Sequence, residues 1–262
     1  MILEKLKFST DFASVPHKRE LNKPNEDRLL IDEENGIFII LDGVTRVHKE
    51  YDSSPFASAA GDVGDIFLKE AHEYIKAHIK DSDPKAVLYG AADTANTKIK
   101  KYRKIKSQEE WEFYPATLGI ISILRDNTLH YISVGDCLGV LLRHNSKILF
   151  GRELSLEAVD LNKVNKTARY MYYCNQPGNE LSYTVFNGDD AVIEGLEYSF
   201  IDIHPDDCVI LASDGIGNYL KYEKAADIFF QSAEEIISLS EKYDTPPYAE
   251  YADDKSLIKI SF

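Results

Sequence analysis

Four segments rich in apolar and β-branched residues follow one another between residues 117 and 150. Links of two or three residues separate these segments, which are Thr117–Leu124, Thr128–Val134, Cys137–Arg143 and Lys147–Phe150. Links this short join antiparallel neighbours, because parallel strands need a crossover of about a dozen residues or more. The middle of the chain therefore predicts a series of antiparallel hairpins.

Further strands and several helices are predicted outside this central region. The predicted strands are Ile2–Phe8, Arg28–Asp32, Gly36–Leu41, Asp207–Ser213 and Ser256–Phe262, with a loop from Asp11 to Pro24. Apolar periodicity predicts helices at 55–79 (capped by Ser54), from Asp83-Pro84 onward, at 221–231 and at 233–243. Because strand runs and helix runs are segregated, the predicted class is α+β. We expect a single domain over residues 1–262, with an irregular, flap-like insert at about 151–196.

The composition excludes several classes of protein. The chain has 44 Asp and Glu against 30 Lys and Arg, a formal charge of −14, which argues against a nucleic-acid binder or a protein that docks on anionic lipid. No apolar run is long enough to insert into a membrane, and charges interrupt the apolar residues at the N-terminus. The three cysteines form no CxxC pair, so a reducing, cytoplasmic location is predicted.

Acidic residues recur at the ends of the predicted strands. IFIIL is followed by Asp42-Gly43, YISV by Gly135-Asp136 and VILAS by Asp214-Gly215, while Glu26-Asp27 and Asp253 stand just before strands. A single Asp-Gly pair is more typical of a turn. Several carboxylates at the ends of central strands, however, would lose solvation and repel one another. A divalent cation relieves both effects, and oxygen ligands favour Mg²⁺ or Mn²⁺ over Zn²⁺.

These segments also resemble a known family when they are taken in order along the chain. The similar segments are Asn25-Glu26-Asp27-Arg28, FIILDGV, ATLGIISI, YISVGDCLGVLL, DDCVILASDGIGNYL and DDKSLIKI. Together they resemble the metal-dependent type-2C protein phosphatases, the PPM family, over about residues 20–262. The resemblance implies two packed antiparallel sheets flanked by helices, an αββα sandwich, with a dinuclear metal site at one edge.

The resemblance also implies a role for each acidic position. Asp42 would bridge two Mg²⁺ or Mn²⁺ ions and Gly43 would offer its carbonyl oxygen. The remaining implied metal ligands are Asp214 and Asp253 for the first ion, Glu26 or Asp27 for the second, and Asp136 with Asp214 for a weaker third. The implied activity is hydrolysis of phosphoserine or phosphothreonine in proteins by a metal-activated water, in a signalling role opposed to a serine/threonine kinase.

The chain departs from the family pattern where basic groups are expected. After Asp42-Gly43 it has Val44-Thr45-Arg46 in place of a histidine motif, which makes Arg46 a candidate to face the phosphate. Asn22 replaces the usual phosphate-binding arginine, and Arg19 and Lys23 are the candidate substitutes. Asn218 replaces an aspartate and weakens the expected third metal. Two alternatives stay open: a regulatory or binding module that keeps the fold without activity, and a phosphatase for a small molecule.

Overall fold

The computed structural model describes residues 6–16, 24–44, 58–80, 82–106, 115–151, 174–176, 178–179, 182, 184–247 and 253–262. In this part of the chain two five-stranded sheets form the centre, and every strand pair within them is antiparallel. The strands are β1 (Ser9–Val15), β2 (Arg28–Asp32), β3 (Ile37–Gly43), β4 (Thr117–Arg125), β5 (Thr128–Val134), β6 (Leu138–Arg143), β7 (Ser146–Phe150), β8 (Glu197–Asp202), β9 (Cys208–Ala212) and β10 (Lys255–Ser261). The helices are α1 (Ala59–His78), α2 (Pro84–Lys106), α3 (Gly217–Tyr222), α4 (Ala225–Phe229) and α5 (Ala233–Ser240).

The two sheets pack face to face and helices cover both outer faces. One sheet has the strand order β1-β10-β9-β6-β7 and the other β2-β3-β4-β5-β8. Helices α1 and α2 pack on the second sheet, while α5 packs on β1 and β10 of the first. The predicted α+β class and four-layer αββα sandwich are therefore confirmed.

Burial explains why the central strands were recognisable. Ile37–Leu41 of β3 has no exposed surface, because one face meets the other sheet and the opposite face meets α1. Helix α1 begins after Ser58, whose side chain accepts a hydrogen bond from the Gly61 N–H at 2.9 Å. Most of its apolar stripe, predicted from the periodicity, is buried, whereas the predicted cap at Ser54 lies outside the described residues. None of the described helices combines the length and apolar composition needed to cross a bilayer.

Three lysines of the first sheet reach into its helical layer. The Lys147 ammonium group donates hydrogen bonds to three backbone carbonyls at the end of α3, those of Leu220, Lys221 and Glu223, at 2.6–2.9 Å. Lys259 donates to the carbonyls of Phe229 and Gln231, and Lys255 contacts Ser240 and Asp244. The contacts of Lys147 and Lys259 satisfy carbonyls at or just beyond helix ends, whereas Lys255 contacts a hydroxyl and a carboxylate.

The position predicted for the first strand was wrong in the part that the structure describes. The first strand of the described residues is Ser9–Val15, which pairs with β10. Residues 6–8 carry no strand and residues 1–5 lie outside the description. The predicted loop from Asp11 to Pro24 therefore includes most of a strand.

Three other predictions also need correction. The link Gly135-Asp136 does not close a hairpin, because β5 and β6 belong to different sheets. Strand β8 was not predicted, although it completes the second sheet beside β5. The predicted helix at 221–231 is two short helices, of which the first begins earlier, at Gly217.

Of the insert predicted at about 151–196, residues 152–173 lie outside the described part of the chain. The segment around Phe186 pairs with Thr117 of β4 through two backbone hydrogen bonds, of 3.0 and 2.8 Å. The Phe186 ring packs in the core with its centroid 4.3 Å from that of Phe67 on α1. A short 3₁₀ helix follows at Asp190–Gly195. The end of the insert is thus anchored to the sandwich, while its flap-like character stays a prediction.

Candidate metal centre

Three aspartates from three strand ends meet at one edge of the sandwich. Asp42 is the penultimate residue of β3, Asp136 follows β5, and Asp214 follows β9. One carboxylate oxygen of each lies within 4.8 Å of the other two. Since β3 and β5 belong to one sheet and β9 to the other, the cluster forms where the two sheets share an edge.

A second acidic group lies beside this cluster. Asp27 is only 4% exposed, and its Oδ2 accepts a 2.7 Å hydrogen bond from the Ser213 hydroxyl. Its other oxygen, Oδ1, is buried and has no hydrogen-bond partner among the described residues. A buried polar atom without a partner costs about 1–3 kcal/mol, and more when it is charged. The orphaned oxygen is therefore well suited to a ligand that is not a protein group.

Two loops are held together beside Asp27. The Asp254 side chain accepts a 2.9 Å hydrogen bond from the backbone N–H of Glu26, and the Asp254 N–H donates to Asp253 Oδ1 at 2.8 Å. Glu26 and Asp254 are both 2% exposed. The segment before β2 and the segment before β10 therefore present their acidic residues to the same region.

The electrostatics of the cluster favour a cation. Burial raises the pKa of Asp42 well above its ordinary value, and the carboxylates of Asp214, Asp27 and Asp253 raise it further. Burial, with Asp136 and Asp253, has the same effect on the pKa of Asp214. Burial and Asp254 raise the pKa of Asp27 to about 7. Bringing these groups together in ionised form is unfavourable unless positive charge enters, and an all-oxygen donor set fits Mg²⁺ or Mn²⁺.

The glycine in two of the Asp-Gly pairs is required by close packing. A Cβ on Gly43 would lie 2.5 Å from Glu26 Cβ, and one on Gly215 would lie 2.1 Å from the Asp254 carbonyl oxygen. Each glycine therefore lets one acidic strand end pack directly against a second acidic segment. This steric role explains the recurrence of Asp-Gly at strand ends.

Two residues important to the site were not predicted. Ser213 is fully buried, donates to Asp27 and accepts a 3.0 Å hydrogen bond from the Ser256 N–H. Asp254, which received no role from the sequence, orients Glu26. A serine directly before Asp-Gly was the available signal for the first, but its partner Asp27 is 186 residues away.

The remaining predicted residues fall into two groups. Gly43, Glu26, Asp27 and Asp253 lie at or beside the cluster, as described above. The predicted basic residues Arg19, Lys23 and Arg46 lie outside the described part of the chain. Cys137, adjacent to Asp136, is fully buried, and burial with the nearby Asp42 charge raises its thiol pKa, as expected for an unreactive core cysteine.

Comparisons with known proteins identify the fold. No model of a protein family and no curated protein sequence matches the chain. The Mycobacterium tuberculosis serine/threonine phosphatase PstP/Ppp is similar in structure, with a TM-score of 0.68 and 16% identity over 98% of this chain and 99% of that chain. The catalytic domain of PstP in complex with two manganese ions has a TM-score of 0.64 and 16% identity, with 97% of each chain covered. The PPM Ser-Thr phosphatase MsPP from Mycobacterium smegmatis has a TM-score of 0.61 and 15% identity, with 98% of each covered. The chain therefore has the fold of the PPM phosphatases.

Proposed function

We propose that this protein is a metal-dependent phosphatase that hydrolyses phosphoserine or phosphothreonine in proteins. The observation that carries the proposal is the meeting of Asp42, Asp136 and Asp214 at one edge of the sandwich, beside the orphaned oxygen of Asp27. The structural similarity adds support, because the solved relatives are serine/threonine phosphatases and one of them was determined with two manganese ions.

In this proposal the acidic residues hold two Mg²⁺ or Mn²⁺ ions. The proposed ligands of these two ions are Asp42, Asp214, Asp253, Asp27 or Glu26, and the Gly43 carbonyl. When bound, such ions lower the pKa of a water molecule and offset the charge that develops on the phosphoryl oxygens. A third, weaker ion at Asp136 and Asp214 is disfavoured by Asn218.

The chain's own groups then orient the ligands and the substrate. Ser213 fixes the Asp27 carboxylate, and the Thr117 hydroxyl donates a 2.8 Å hydrogen bond to the Asp42 carbonyl, which fixes the end of β3. Arg46, Arg19 and Lys23 are proposed to contact the phosphate. The partner would be a phosphoprotein opposed by a kinase. None of the three buried cysteines takes part in a disulfide, which supports the proposed cytoplasmic location.

Turnover of p-nitrophenyl phosphate and of a phosphothreonine peptide with Mn²⁺ tests this function. We expect hydrolysis by the wild type and a loss of at least about 100-fold in Asp42→Asn and Asp214→Asn, since each removes a ligand of the activating ion. Asp206→Asn is the matched control, because Asp206 is exposed at the opposite end of β9 and its φ of 66° is one that asparagine also adopts. Wild-type activity no higher than that of the two cluster variants would refute the proposal.

Two further measurements distinguish the alternative functions. Mn²⁺ binding measured by calorimetry without hydrolysis of any phosphomonoester would identify a binding or regulatory module. Faster turnover of phosphorylated metabolites than of phosphopeptides would identify a small-molecule phosphatase.

A further inference from the structure

The first residue of β2, Arg28, connects the acidic segment 25–27 to helix α1. Its Nη1 donates hydrogen bonds to the backbone carbonyls of Asn25 at 2.7 Å and Asp27 at 2.9 Å. Its Nε and Nη2 donate to the two carboxylate oxygens of Asp65 on α1, at 2.6 and 3.2 Å. One guanidinium group thus fixes the backbone on both sides of Glu26 to the second turn of a 20-residue helix.

Helix α1 leaves space for this guanidinium group at two glycines one turn apart. A Cβ on Gly61 would lie 2.6 Å from Arg28 Nη2, and a Cβ on Gly64 would lie 2.9 Å from Arg28 Cγ. Glycine lowers the stability of a helix interior relative to alanine. Two glycines at this spacing are therefore explained by the arginine that packs between them, independently of its hydrogen bonds.

The pair with Asp65 contributes little to stability by itself. The Asp65 side chain is 62% exposed, and solvent-exposed ion pairs are weak. The fork geometry, in contrast, fixes both the position and the orientation of the guanidinium plane, which lysine cannot do. The effect of this arrangement is therefore the placement of the carbonyls of residues 25 and 27 and of the side chains between them.

We propose that Arg28 is a positioning residue, which acts through the backbone of Asn25–Asp27 to hold Glu26 and Asp27 in the geometry that binds a divalent cation. Its side chain packs on α1 against Gly61 and Gly64 and pairs with Asp65. This inference rests on the metal site of the proposed function. It adds a role for Arg28, which the proposed function assigns neither to the ion nor to the phosphate.

The test measures Mn²⁺ affinity by isothermal titration calorimetry in Arg28→Lys and in a matched control, Arg143→Lys. Arg143 makes the same fork to a carboxylate, Asp207, at 2.9 and 2.7 Å and also donates to a carbonyl, that of Asp202, but at the end of β6 away from the cluster. We expect Arg28→Lys to bind Mn²⁺ about 10- to 100-fold more weakly, the usual effect of losing a group that orients metal ligands. We expect Arg143→Lys to bind as the wild type does, although both variants melt at lower temperature.

Two further variants separate positioning from stability. Gly61→Ala raises helix propensity while its methyl group displaces the guanidinium group, so we expect unchanged or higher thermal stability together with weaker Mn²⁺ binding. Asp65→Asn should weaken binding less than Arg28→Lys does, and the double variant should be no weaker than Arg28→Lys alone, because both changes act through one contact.

The results distinguish failure of the positioning role of Arg28 from failure of the proposed phosphatase function. Wild-type Mn²⁺ affinity in Arg28→Lys and Gly61→Ala would overturn the positioning role, as would an equal loss in Arg143→Lys. A wild type that binds no Mn²⁺ would overturn both this inference and the metal site. A wild type that binds Mn²⁺ without hydrolysing phosphate, with the expected loss in Arg28→Lys, would support the positioning role and refute only the phosphatase function.

Discussion

Replacing Ser213 by alanine should reduce the free energy of unfolding by about 3 kcal/mol, although it removes a single oxygen atom. The Ser213 hydroxyl is fully buried and joins two partners, since it donates to Asp27 Oδ2 at 2.7 Å and accepts from the Ser256 N–H at 3.0 Å. A hydrogen bond to a charged group contributes about 1.5–3 kcal/mol, and a buried N–H without an acceptor costs about 1–3 kcal/mol. The methyl side chain of alanine has no polar atom that could make either hydrogen bond, so the two losses add.

Urea unfolding of the metal-free protein at about pH 8.5 measures this loss, with Ser146→Ala as the control. Asp27, whose pKa is about 7, is ionised at that pH. Ser146 is exposed and its hydroxyl donates only to the Arg143 carbonyl across a hairpin turn, so its replacement should change stability by less than about 0.5 kcal/mol. The urea dependence should keep its slope in both variants, because neither changes the surface exposed on unfolding. A loss in Ser213→Ala below about 1 kcal/mol, or equal to that of the control, would refute this account of the buried bridge.

A double-mutant cycle with Asp27→Ala isolates the bond between the two side chains, because alanine has no oxygen that could accept from Ser213. If Ser213 acts through Asp27, the combined variant should be more stable than the sum of the single losses predicts, by about 1 kcal/mol or more. Strict additivity would show that the cost of Ser213→Ala comes from the Ser256 N–H alone.

Three further predictions concern other parts of the sandwich. Phe186→Ala should cost about 3–5 kcal/mol in thermal or urea unfolding, because it empties a fully buried site; a loss under about 1 kcal/mol would show that the insert is not anchored there. Lys147→Met should cost about 1–3 kcal/mol by urea unfolding, since three carbonyls lose their shared donor, and an unchanged midpoint would contradict this. Burial alone would raise the pKa of Asp32, but hydrogen bonds from His72 and Asn35 lower it below its ordinary value. A lowered folded-state pKa gives stability that is present above the unfolded-state value, about 3.9, and is lost as the pH falls; Asp32→Asn should therefore cost stability at neutral pH and less at about pH 3, and an equal cost at both pH values would refute the assignment.

The central strands could be predicted because strands buried on both faces consist of apolar residues, and the sequence shows these directly. Residues 37–41 are apolar at every position, as a strand buried on both faces must be. Strand β1 has the sequence STDFASV with four of its seven positions exposed, and little in it distinguishes a strand from a polar loop. Its strand conformation depends on pairing with β10, in which Ser9 lies opposite Ser261. A contact across about 250 residues leaves no local signal.

The candidate metal centre likewise has features that local sequence predicts and features that depend on long-range contacts. The positions of Asp42 and Asp214 after buried strands predicted that they would meet, and they do. The route taken by Asp136 could not be predicted, because a two-residue link is typical of a hairpin and here it leads from one sheet into the other. The roles of Asp254 and Arg28 were also hidden, since each acts on backbone groups of the 25–27 segment that only the folded chain brings within reach.

The position of the acidic cluster between the two sheets relates metal affinity to the stability of the fold. Its carboxylates come from both sheets, so their separation depends on how the sheets pack rather than on any one loop. The apolar core between and around the sheets offsets the repulsion among them, and the glycines at Gly43 and Gly215 set how closely the acidic segments approach. Substitutions that shift the packing of one sheet on the other should therefore lower metal affinity together with stability. Substitution of Arg28 should change metal affinity more than stability, whereas a larger residue at Gly43 or Gly215 should lower both, because its Cβ would overlap with the adjoining acidic segment.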